Sequence, residues 1–368
     1  MDRREFFQAG AAAGLVGLAG PRWLEAEQAV APDTTLYLNW NENPMGLSPK
    51  VRKAAQEALS RANRYPDLSR AELASIVAEQ HGVRLENVVL GCGSTQILRS
   101  IVAAHAEEGN SLVLAEPTFE AMVQYQRPFG YEVQRVPLDK RFAHDIARMK
   151  QAVGQGSAVV YICNPNNPTA TLTPSSEIDA WIQEAPASVV FVIDEAYHEY
   201  VEDSSYLTAA KWVSERSGVV VTRTFSKIYA MAGLRLGYAL AHEKTARRLR
   251  KFMSVDNANG VAVAAARASL QDGDLIPASR RVNAAAKTIA VSCLDELGIE
   301  YLPSHANFLM HRVPGDLKTY IQRMREKGLR VGRPFPPMLG FNRLSLGLPA
   351  EMERWAATLR SFRASGWV

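Results

Sequence analysis

The sequence predicts an α/β protein built on a mostly parallel sheet flanked by helices, with a smaller α+β domain at the C-terminus. Short β-branched runs alternate with amphipathic helical segments from about residue 65 to 240, which is typical of a parallel sheet covered on both faces. The run 189–193 is apolar throughout, as expected for a strand buried on both sides. Polar candidate residues follow several predicted strands, where such folds bind ligands.

The composition narrows the class of protein. A chain of 368 residues with 47% apolar residues has enough apolar side chains for the cores of two ordinary domains. Its 42 basic and 38 acidic residues occur in mixed order, so we expect no nucleic-acid partner. The three cysteines lie far apart, without disulfide or metal-ligand spacing. We expect no metal site, and we expect these cysteines to behave as small buried hydrophobes: Cys92, Cys163 and Cys293.

Residues 1–31 resemble a bacterial twin-arginine export signal. Arg3 and Arg4 precede a weakly apolar run rich in alanine and glycine, which is too short to span a membrane. An ordinary amphipathic first helix is the alternative. Ala29 and Ala31 fit the small-residue rule for cleavage, although a proline follows directly. We expect a periplasmic protein exported in folded form without stable membrane insertion, and a cytoplasmic one if there is no signal.

Residues 32–64 are expected to form an N-terminal arm. Asparagine, proline and glycine cluster over 41–46, which marks a loop. Ser48 is placed to cap a helix over 49–61, because it directly precedes a proline, a residue favoured in the first helical turn. A second helix over 69–81 has apolar residues at helical spacing.

A large domain is predicted over residues 65–270 and a small domain over 271–368. The later part of the chain alternates helical and extended patterns. Helices are expected over 243–253, 282–297 and 317–327, and strands over 306–310 and 343–346.

A strand, a glycine-containing turn and a helix follow one another from residue 88. Val88, Val89 and Leu90 predict a short strand, and Ser94 and Thr95 lie in the turn that opens the helix. Backbone N–H groups at the start of a helix, together with the positive end of its dipole, bind anions.

Lys227 follows a β-branched run that predicts a buried strand over 219–221. Apolar residues alternate from Leu234 to Leu240, which predicts a second strand after it. An amine at the end of such a strand is partly desolvated, which disfavours its charged form and suits a Schiff-base nucleophile. Thr224, Ser226 and Arg235 supply hydroxyl and guanidinium donors for a phosphate. A lysine beside a phosphate site indicates pyridoxal phosphate (PLP). The alternative is a loop lysine near an arginine in a structural ion pair.

Four more residues fit a site for the ring of PLP. Asp194 ends the apolar strand, and a pyridinium N–H would compensate its burial, although a helix cap or an ion pair is an alternative. Tyr197, three residues on, is placed to reach the ring oxygen. Asn167 lies in a proline-stiffened loop and offers a side-chain N–H. Phe119 lies on the ring or, equally, is a core aromatic.

Two arginines near the C-terminus are candidates for substrate binding. Arg343 opens a predicted strand and is suited to bind a carboxylate in bidentate fashion. Arg333 lies in a proline-rich loop, where it can meet a second substrate group. The alternative for each is an ordinary surface arginine.

Together these residues resemble the fold-type I PLP enzymes, specifically the aminotransferases similar to histidinol-phosphate aminotransferase. The resemblance extends from about residue 38 to 349. Its motifs are N-x-N-E-N-P at 39–44, R-Y-P-D at 64–67, N-P-N-N-P-T at 164–169, D-E-A-Y at 194–197, T-F-S-K at 224–227, A-G-L-R-L-G-Y at 232–238 and A-N-F at 306–308.

The resemblance implies roles for the matching residues. Lys227 would attach the cofactor and shuttle the proton between Cα and C4′, and Asp194 would bind the pyridine nitrogen. Arg343 would bind the amino acid carboxylate, while the small domain and the arm around Asn43 close over the substrate. The resemblance also implies a seven-stranded-type sheet in the large domain and a homodimer with shared sites. The ring oxygen would be bound by Asn167 and Tyr197, and the phosphate by Ser94, Thr95, Ser226, Arg235 and, from the neighbouring subunit, Tyr65.

Four positions depart from the family pattern. Met45 replaces an aromatic on the substrate side, which leaves histidinol phosphate, aromatic amino acids and secondary-metabolite precursors open as substrates. Phe119 replaces a tyrosine, Ala170 a glycine, and Cys92 interrupts G-N-G.

The predicted function is ping-pong transfer of an amino group between an amino acid, or an amino-alcohol phosphate, and a 2-oxo acid. The alternatives are another PLP chemistry (decarboxylation, β-elimination or cyclisation) and a non-catalytic PLP-binding module.

Overall fold

The computed structural model describes residues 35–106, 111–154 and 156–368. Leu36–Val368 form one compact unit. The predicted export signal over 1–31 lies outside the described residues, and the boundary between residues 270 and 271 stays a prediction.

The described residues form the following strands and helices. The strands are β1 (Leu36–Leu38), β2 (Val88–Gly91), β3 (Ser111–Glu116), β4 (Val133–Pro137), β5 (Ala158–Cys163), β6 (Val189–Asp194), β7 (Val219–Thr224), β8 (Gly237–Ala241), β9 (Phe308–Arg312), β10 (Leu329–Val331) and β11 (Phe341–Ser345). The α-helices are α1 (Pro49–Leu59), α2 (Asp67–Gln80), α3 (Gly93–His105), α4 (Ala121–Gln126), α5 (Ile146–Val153), α6 (Ser175–Glu184), α7 (Glu243–Arg250), α8 (Gly260–Leu270), α9 (Leu275–Glu296), α10 (Leu317–Glu326) and α11 (Pro349–Ala364).

The largest sheet among the described residues has seven strands in the order β2-β8-β7-β6-β5-β3-β4. Only β8 runs antiparallel to its neighbours within this sheet. The carboxyl ends of the other six strands therefore share one edge. This arrangement confirms the predicted α/β fold.

Both faces of this sheet are buried, because alternate residues of its strands belong to two different hydrophobic clusters. Val160 and Phe191 pack in one cluster, whereas Val159 and Val192 pack in the other. The apolar, β-branched composition of β5, β6 and β7 follows from this burial, and every residue of the three strands is buried.

The arm and the C-terminal residues share a third cluster, centred on the fully buried Trp355. Leu38 of the arm lies in that cluster, and β1 pairs in parallel with β10. β9 and β11 form a second, antiparallel pair. The arm is thereby joined to residues nearly three hundred positions further along the chain.

Most helices predicted from apolar spacing and capping residues are present, but some end at residues other than those predicted. The Ser48 side chain caps α1 as predicted, accepting from Val51 N at 3.3 Å, although α1 ends at Leu59 instead of residue 61. The helix predicted over 243–253 ends at Arg250.

Three other predictions need correction. Leu234, expected in a strand, lies in a 3₁₀ turn, and β8 begins only at Gly237 because Arg235 has a left-handed backbone (φ 58°) that interrupts an extended run. The strand predicted from residue 306 begins at Phe308. Cys92 is exposed, since it lies in the turn before α3, while Cys163 and Cys293 are buried as expected.

No helix in the described part of the chain combines the length and the apolar character needed to cross a membrane. The same residues contain no cluster of metal-ligating side chains.

Candidate active site

One cavity of about 330 Å³ lies at the shared carboxyl edge of the parallel strands. The last residues of β5 and β6, Cys163 and Asp194, line it, as does Thr224 at the end of β7. Twelve residues predicted from the sequence lie in its lining: Ser94, Thr95, Phe119, Asn167, Asp194, Tyr197, Thr224, Ser226, Lys227, Arg235, Arg333 and Arg343.

The amine of Lys227 is held by the N-terminal arm. Its Nζ donates to the backbone carbonyls of Trp40 and Asn41, both at 3.1 Å. Burial lowers the pKa of Lys227 to about 8, and the positive charge of Arg343 acts in the same direction. About a tenth of this amine is therefore neutral, and nucleophilic, at pH 7.

A cradle for a phosphate lies at the N-terminus of α3. The Arg235 guanidinium reaches Ser226 Oγ at 3.3 Å and Thr95 Oγ1 at 3.4 Å, which are long contacts that a phosphate can replace. Gly93 has a φ of +70°, and a Cβ on it would clash with Arg235. These side chains surround the first N–H groups of a thirteen-residue helix, a favourable site for an anion.

The floor of this cradle is formed by backbone. Gly237, the first residue of β8, packs so closely that a Cβ there would lie 2.6 Å from Ser94 N and 2.8 Å from Arg223 O. Thr224 Oγ1 donates to Ser226 Oγ at 3.0 Å and accepts from Ser226 N at 3.1 Å, which fixes the hydroxyl next to Arg235.

Asp194 presents one carboxylate oxygen to the cavity without a protein partner. The residue is only 2% exposed. Its Oδ2 accepts from Tyr161 Oη at 2.8 Å, while Oδ1 has no hydrogen-bond partner among the described residues. Burial raises the pKa of Asp194 to about 6. A cationic ring N–H fits this position, because it would satisfy the free oxygen and compensate its charge.

Asn167 and Tyr197 each keep a donor for a ligand oxygen. Asn167 Oδ1 accepts from Arg343 Nη1 at 2.7 Å, which directs the amide N–H₂ away from Arg343. Tyr197 Oη accepts from Asn41 Nδ2 at 3.0 Å, so its own O–H can be donated. Both arrangements suit a phenolate oxygen on the ring.

The two candidate arginines differ in burial. Arg343 is 7% exposed; it donates to Asn39 O at 2.5 Å, and its Nε has no partner among the described residues. Burial lowers the pKa of Arg343 to about 10, and nearby Arg333 contributes. Arg333 lies at the exposed rim, where it pairs with Glu120 at 2.9 Å. A free anion would satisfy the Nε of Arg343.

Two predicted residues lie elsewhere in this chain. Asn43 does not line the cavity, because its Nδ2 donates to Ile228 O at 2.8 Å and Ser279 Oγ at 3.0 Å. Tyr65 is 78% exposed and lines a second, open depression. Its predicted role toward a neighbouring subunit stays a prediction.

The structure also brings unpredicted residues to the cavity. Trp40, Asn41 and Phe335 line it, and Tyr161 contacts it through Asp194. The sequence indicated only that Asn41 lies in a loop rich in asparagine. The residue has a left-handed backbone (φ 54°), which asparagine tolerates better than most residues. Phe335 carried no signal beyond the prolines around it.

The comparisons with known proteins agree with this geometry. Residues 33–359 match the family model of aminotransferase class I and II. Histidinol-phosphate aminotransferase 2 of Pseudomonas fluorescens is 36% identical over 338 residues, covering 91% of this chain and 91% of that protein.

Two solved structures have the same fold. One from Erwinia carotovora atroseptica is 36% identical, with a TM-score of 0.89, over 91% of this chain and 98% of that one. Histidinol-phosphate aminotransferase from Sinorhizobium meliloti, in complex with pyridoxal-5'-phosphate, is 25% identical, with a TM-score of 0.83, over 95% of this chain and 100% of that one.

Proposed function

This chain belongs to the class I and II aminotransferases, and on that premise we propose what it acts on and how its residues act. It is a PLP-dependent aminotransferase. It moves an amino group between an amino acid, or an amino-alcohol phosphate such as histidinol phosphate, and a 2-oxo acid, in two half-reactions.

One observation carries the proposal: Lys227 and Asp194 line the same cavity, with the phosphate cradle beside them. A small ring can therefore meet an amine at one position and a carboxylate at another while its phosphate is anchored. If Lys227 and Asp194 lined separate pockets, one cofactor ring could not meet both of them, and PLP-dependent amino transfer would be excluded.

The bound cofactor supplies an electron-accepting ring that stabilises negative charge on the substrate Cα. Asp194, whose Oδ1 has no partner among the described residues, would hold the ring nitrogen and keep it protonated. Lys227 Nζ, as the neutral amine, would take the proton from the substrate Cα and, as the ammonium, would deliver it to C4′. The carbonyls of Trp40 and Asn41 are placed to hold the Lys227 ammonium between these transfers.

Substrate binding is assigned to the arm and the C-terminal residues. Arg343, with its free buried Nε, binds a carboxylate or a phosphate. Arg333 is available to a second anionic group if Glu120 releases it. The aromatic side chains of Trp40 and Phe335 support an apolar or ring-bearing substrate.

We also propose a homodimer with shared sites. Exposed apolar side chains surround the predicted contact with the partner, with Leu68 at 82%, Tyr65 at 78% and Val255 at 83% exposure. Co-expression of Tyr65→Ala and Lys227→Ala chains tests this. Mixed dimers regain one intact site, which restores about a quarter of wild-type activity at equal expression. Activity no higher than either variant alone contradicts site sharing.

The export proposal rests on Arg3 and Arg4 ahead of an Ala/Gly-rich run. It places the enzyme in the periplasm. Cell fractionation of the wild type and an Arg3→Lys, Arg4→Lys variant tests it, with the variant expected to stay in the cytoplasm. Equal periplasmic signal from both would refute the export route.

A single half-reaction tests the central function. Holoenzyme is mixed with one amino donor at a time, without an acceptor, and the absorbance of the lysine-bound cofactor is followed. A transaminase leaves the cofactor in its amine form and releases one 2-oxo acid per site. Release of carbon dioxide or ammonia with an unchanged cofactor would instead indicate decarboxylation or β-elimination, and no reaction with any donor would indicate a binding module.

A further inference from the structure

Tyr161 lies inside the sheet, directly behind the carboxylate that faces the cavity. It belongs to β5, and Asp194 to the neighbouring parallel strand β6, where Cys163 is opposite Asp194 in the register. Tyr161 is fully buried, with 0% exposure. Its Oη donates to Asp194 Oδ2 at 2.8 Å.

This hydrogen bond makes the two carboxylate oxygens of Asp194 unequal. Oδ2 has a buried protein donor, while Oδ1 has no hydrogen-bond partner among the described residues. The Thr222 hydroxyl and the Ala196 N–H also lower the pKa of Asp194, and the charge of Glu195 raises it. The bond from Tyr161 restricts rotation of the carboxylate and leaves Oδ1 available to a ligand, because Asp194 lines the cavity. A hydrogen bond to the ionised form also stabilises that form against burial.

Resting on the proposed function, we propose that Tyr161 is a positioning residue for the cofactor ring. It holds Asp194 ionised and oriented, so that Oδ1 meets the ring nitrogen. Tyr161 itself touches neither substrate nor cofactor in this assignment; it does not line the cavity. It acts through Asp194.

The competing explanation is structural. A buried tyrosine fills space within the fold, and its hydroxyl needs an acceptor, which Asp194 supplies. In that case the loss of the hydroxyl would lower stability and leave the properties of Asp194 unchanged. Cofactor affinity measured against pH separates the two explanations.

The experiment compares Tyr161→Phe with wild type as apoenzyme, by titration with PLP from pH 5 to 8. Without the hydroxyl, Asp194 binds its proton more tightly, so the midpoint for loss of binding at low pH should rise by about one pH unit. At neutral pH, the Kd for PLP should rise about tenfold, as expected for a lost hydrogen bond to a charged group.

Tyr320→Phe is the matched control. Tyr320 is also buried, at 3% exposure, and its hydroxyl bonds His311 at 3.3 Å. It packs in the cluster around Trp355, which shares no residue with the cavity lining. This variant should lower the Tm and leave the Kd and its pH midpoint at wild-type values. An equal change in both variants would mean a general packing effect.

A double-mutant comparison isolates Asp194. In an Asp194→Asn background, Tyr161→Phe should change the Kd no further, because no carboxylate remains to position. The same fold-change in both backgrounds would overturn the proposal, as would a Tyr161→Phe enzyme with an unchanged Kd and midpoint.

Replacement of Tyr161 by 3-fluorotyrosine keeps the test valid if Tyr161→Phe fails to fold. The more acidic phenol donates more strongly, so the midpoint should move down in pH, and an unchanged midpoint would contradict the proposal. Wild-type protein that fails to bind PLP at all would overturn the proposed function itself, whereas normal binding insensitive to residue 161 overturns only this inference.

Discussion

The side-chain amide of Asn41 donates to the hydroxyl of Tyr197 at 3.0 Å, which joins the N-terminal arm to the cavity wall. The same residue uses its backbone N–H to reach Ser345 Oγ at 2.8 Å and its carbonyl to accept from Lys227. Asn41, which belongs to the arm, thus contacts the cavity wall at Tyr197, the C-terminal residues at Ser345 and the predicted nucleophile Lys227. A shift of the arm would therefore change the contacts of Tyr197 and Lys227 directly.

Asn41→Gly should lower kcat/KM about tenfold, because Tyr197 loses the donor that orients its hydroxyl. Asn41→Ala should behave alike in kinetics but be about 1 kcal/mol less stable than the glycine variant, since alanine resists a positive φ. Steady-state kinetics and urea unfolding measure the two effects. Wild-type kcat/KM in the glycine variant would show that the contact has no part in catalysis.

Lys227→Ala should abolish the absorbance of the lysine-bound cofactor and both half-reactions. Lys227→Arg keeps the positive charge near Trp40 and Asn41 but cannot form the covalent bond, and it should be equally inactive. Spectra and single-turnover assays with excess PLP provide the measurement. Retained transamination in either variant would remove Lys227 from its assigned role.

The rate at which apoenzyme captures PLP should rise with pH in two steps. The first follows ionisation of Asp194, whose pKa of about 6 is raised by burial. The second follows loss of the proton from Lys227, whose pKa of about 8 is lowered by burial. Stopped-flow absorbance from pH 5 to 9 measures both. Asp194→Asn should remove the lower step alone, and a single step in wild type would contradict the assignment.

Arg343→Lys should raise KM for amino acids about a hundredfold, because lysine cannot reproduce the two-pronged contact with a carboxylate. Arg333→Lys should cost about tenfold or less, since its side chain is exposed and already paired with Glu120. Kinetics with an amino acid and with an amino-alcohol phosphate identify which arginine meets which anion. Equal effects of both variants on all substrates would contradict this division.

A buried ion pair follows Asp194 directly in sequence. Glu195, 1% exposed, accepts from Arg223 at 2.7 Å. Arg223→Met leaves an unpaired buried carboxylate and should destabilise the protein by about 3–5 kcal/mol. Arg360→Met, which breaks an exposed pair with Glu296, should cost less than about 1 kcal/mol. Chemical unfolding measures both, and similar losses would argue against a burial effect.

The sequence was most informative about candidate site residues that lie at the carboxyl ends of predicted strands. Asp194 and Lys227 could be placed because their strands are apolar and β-branched, and because parallel strands present their carboxyl ends at one edge. Arg235 was assigned correctly to the cavity, but its left-handed backbone was not foreseen, and the following strand was therefore started too early.

The contribution of the arm could not be predicted from local pattern. Trp40 and Asn41 reach the cavity because β1 pairs with β10, a contact between distant parts of the chain that leaves no trace in periodicity. In the sequence, Tyr161 is one position of the apolar run 159–162. Nothing in its spacing indicates that its hydroxyl reaches a carboxylate on the next strand.

The backbone contact between Gly237 and the turn at Ser94 has a practical consequence for engineering. With a Cβ excluded at residue 237, the phosphate end of the cavity cannot be remodelled without displacing main chain. Attempts to redirect the enzyme toward new amines should therefore use lining residues outside the phosphate cradle, such as Trp40, Arg333 and Phe335. Libraries restricted to those three positions should retain cofactor occupancy while they vary in preference for the amine.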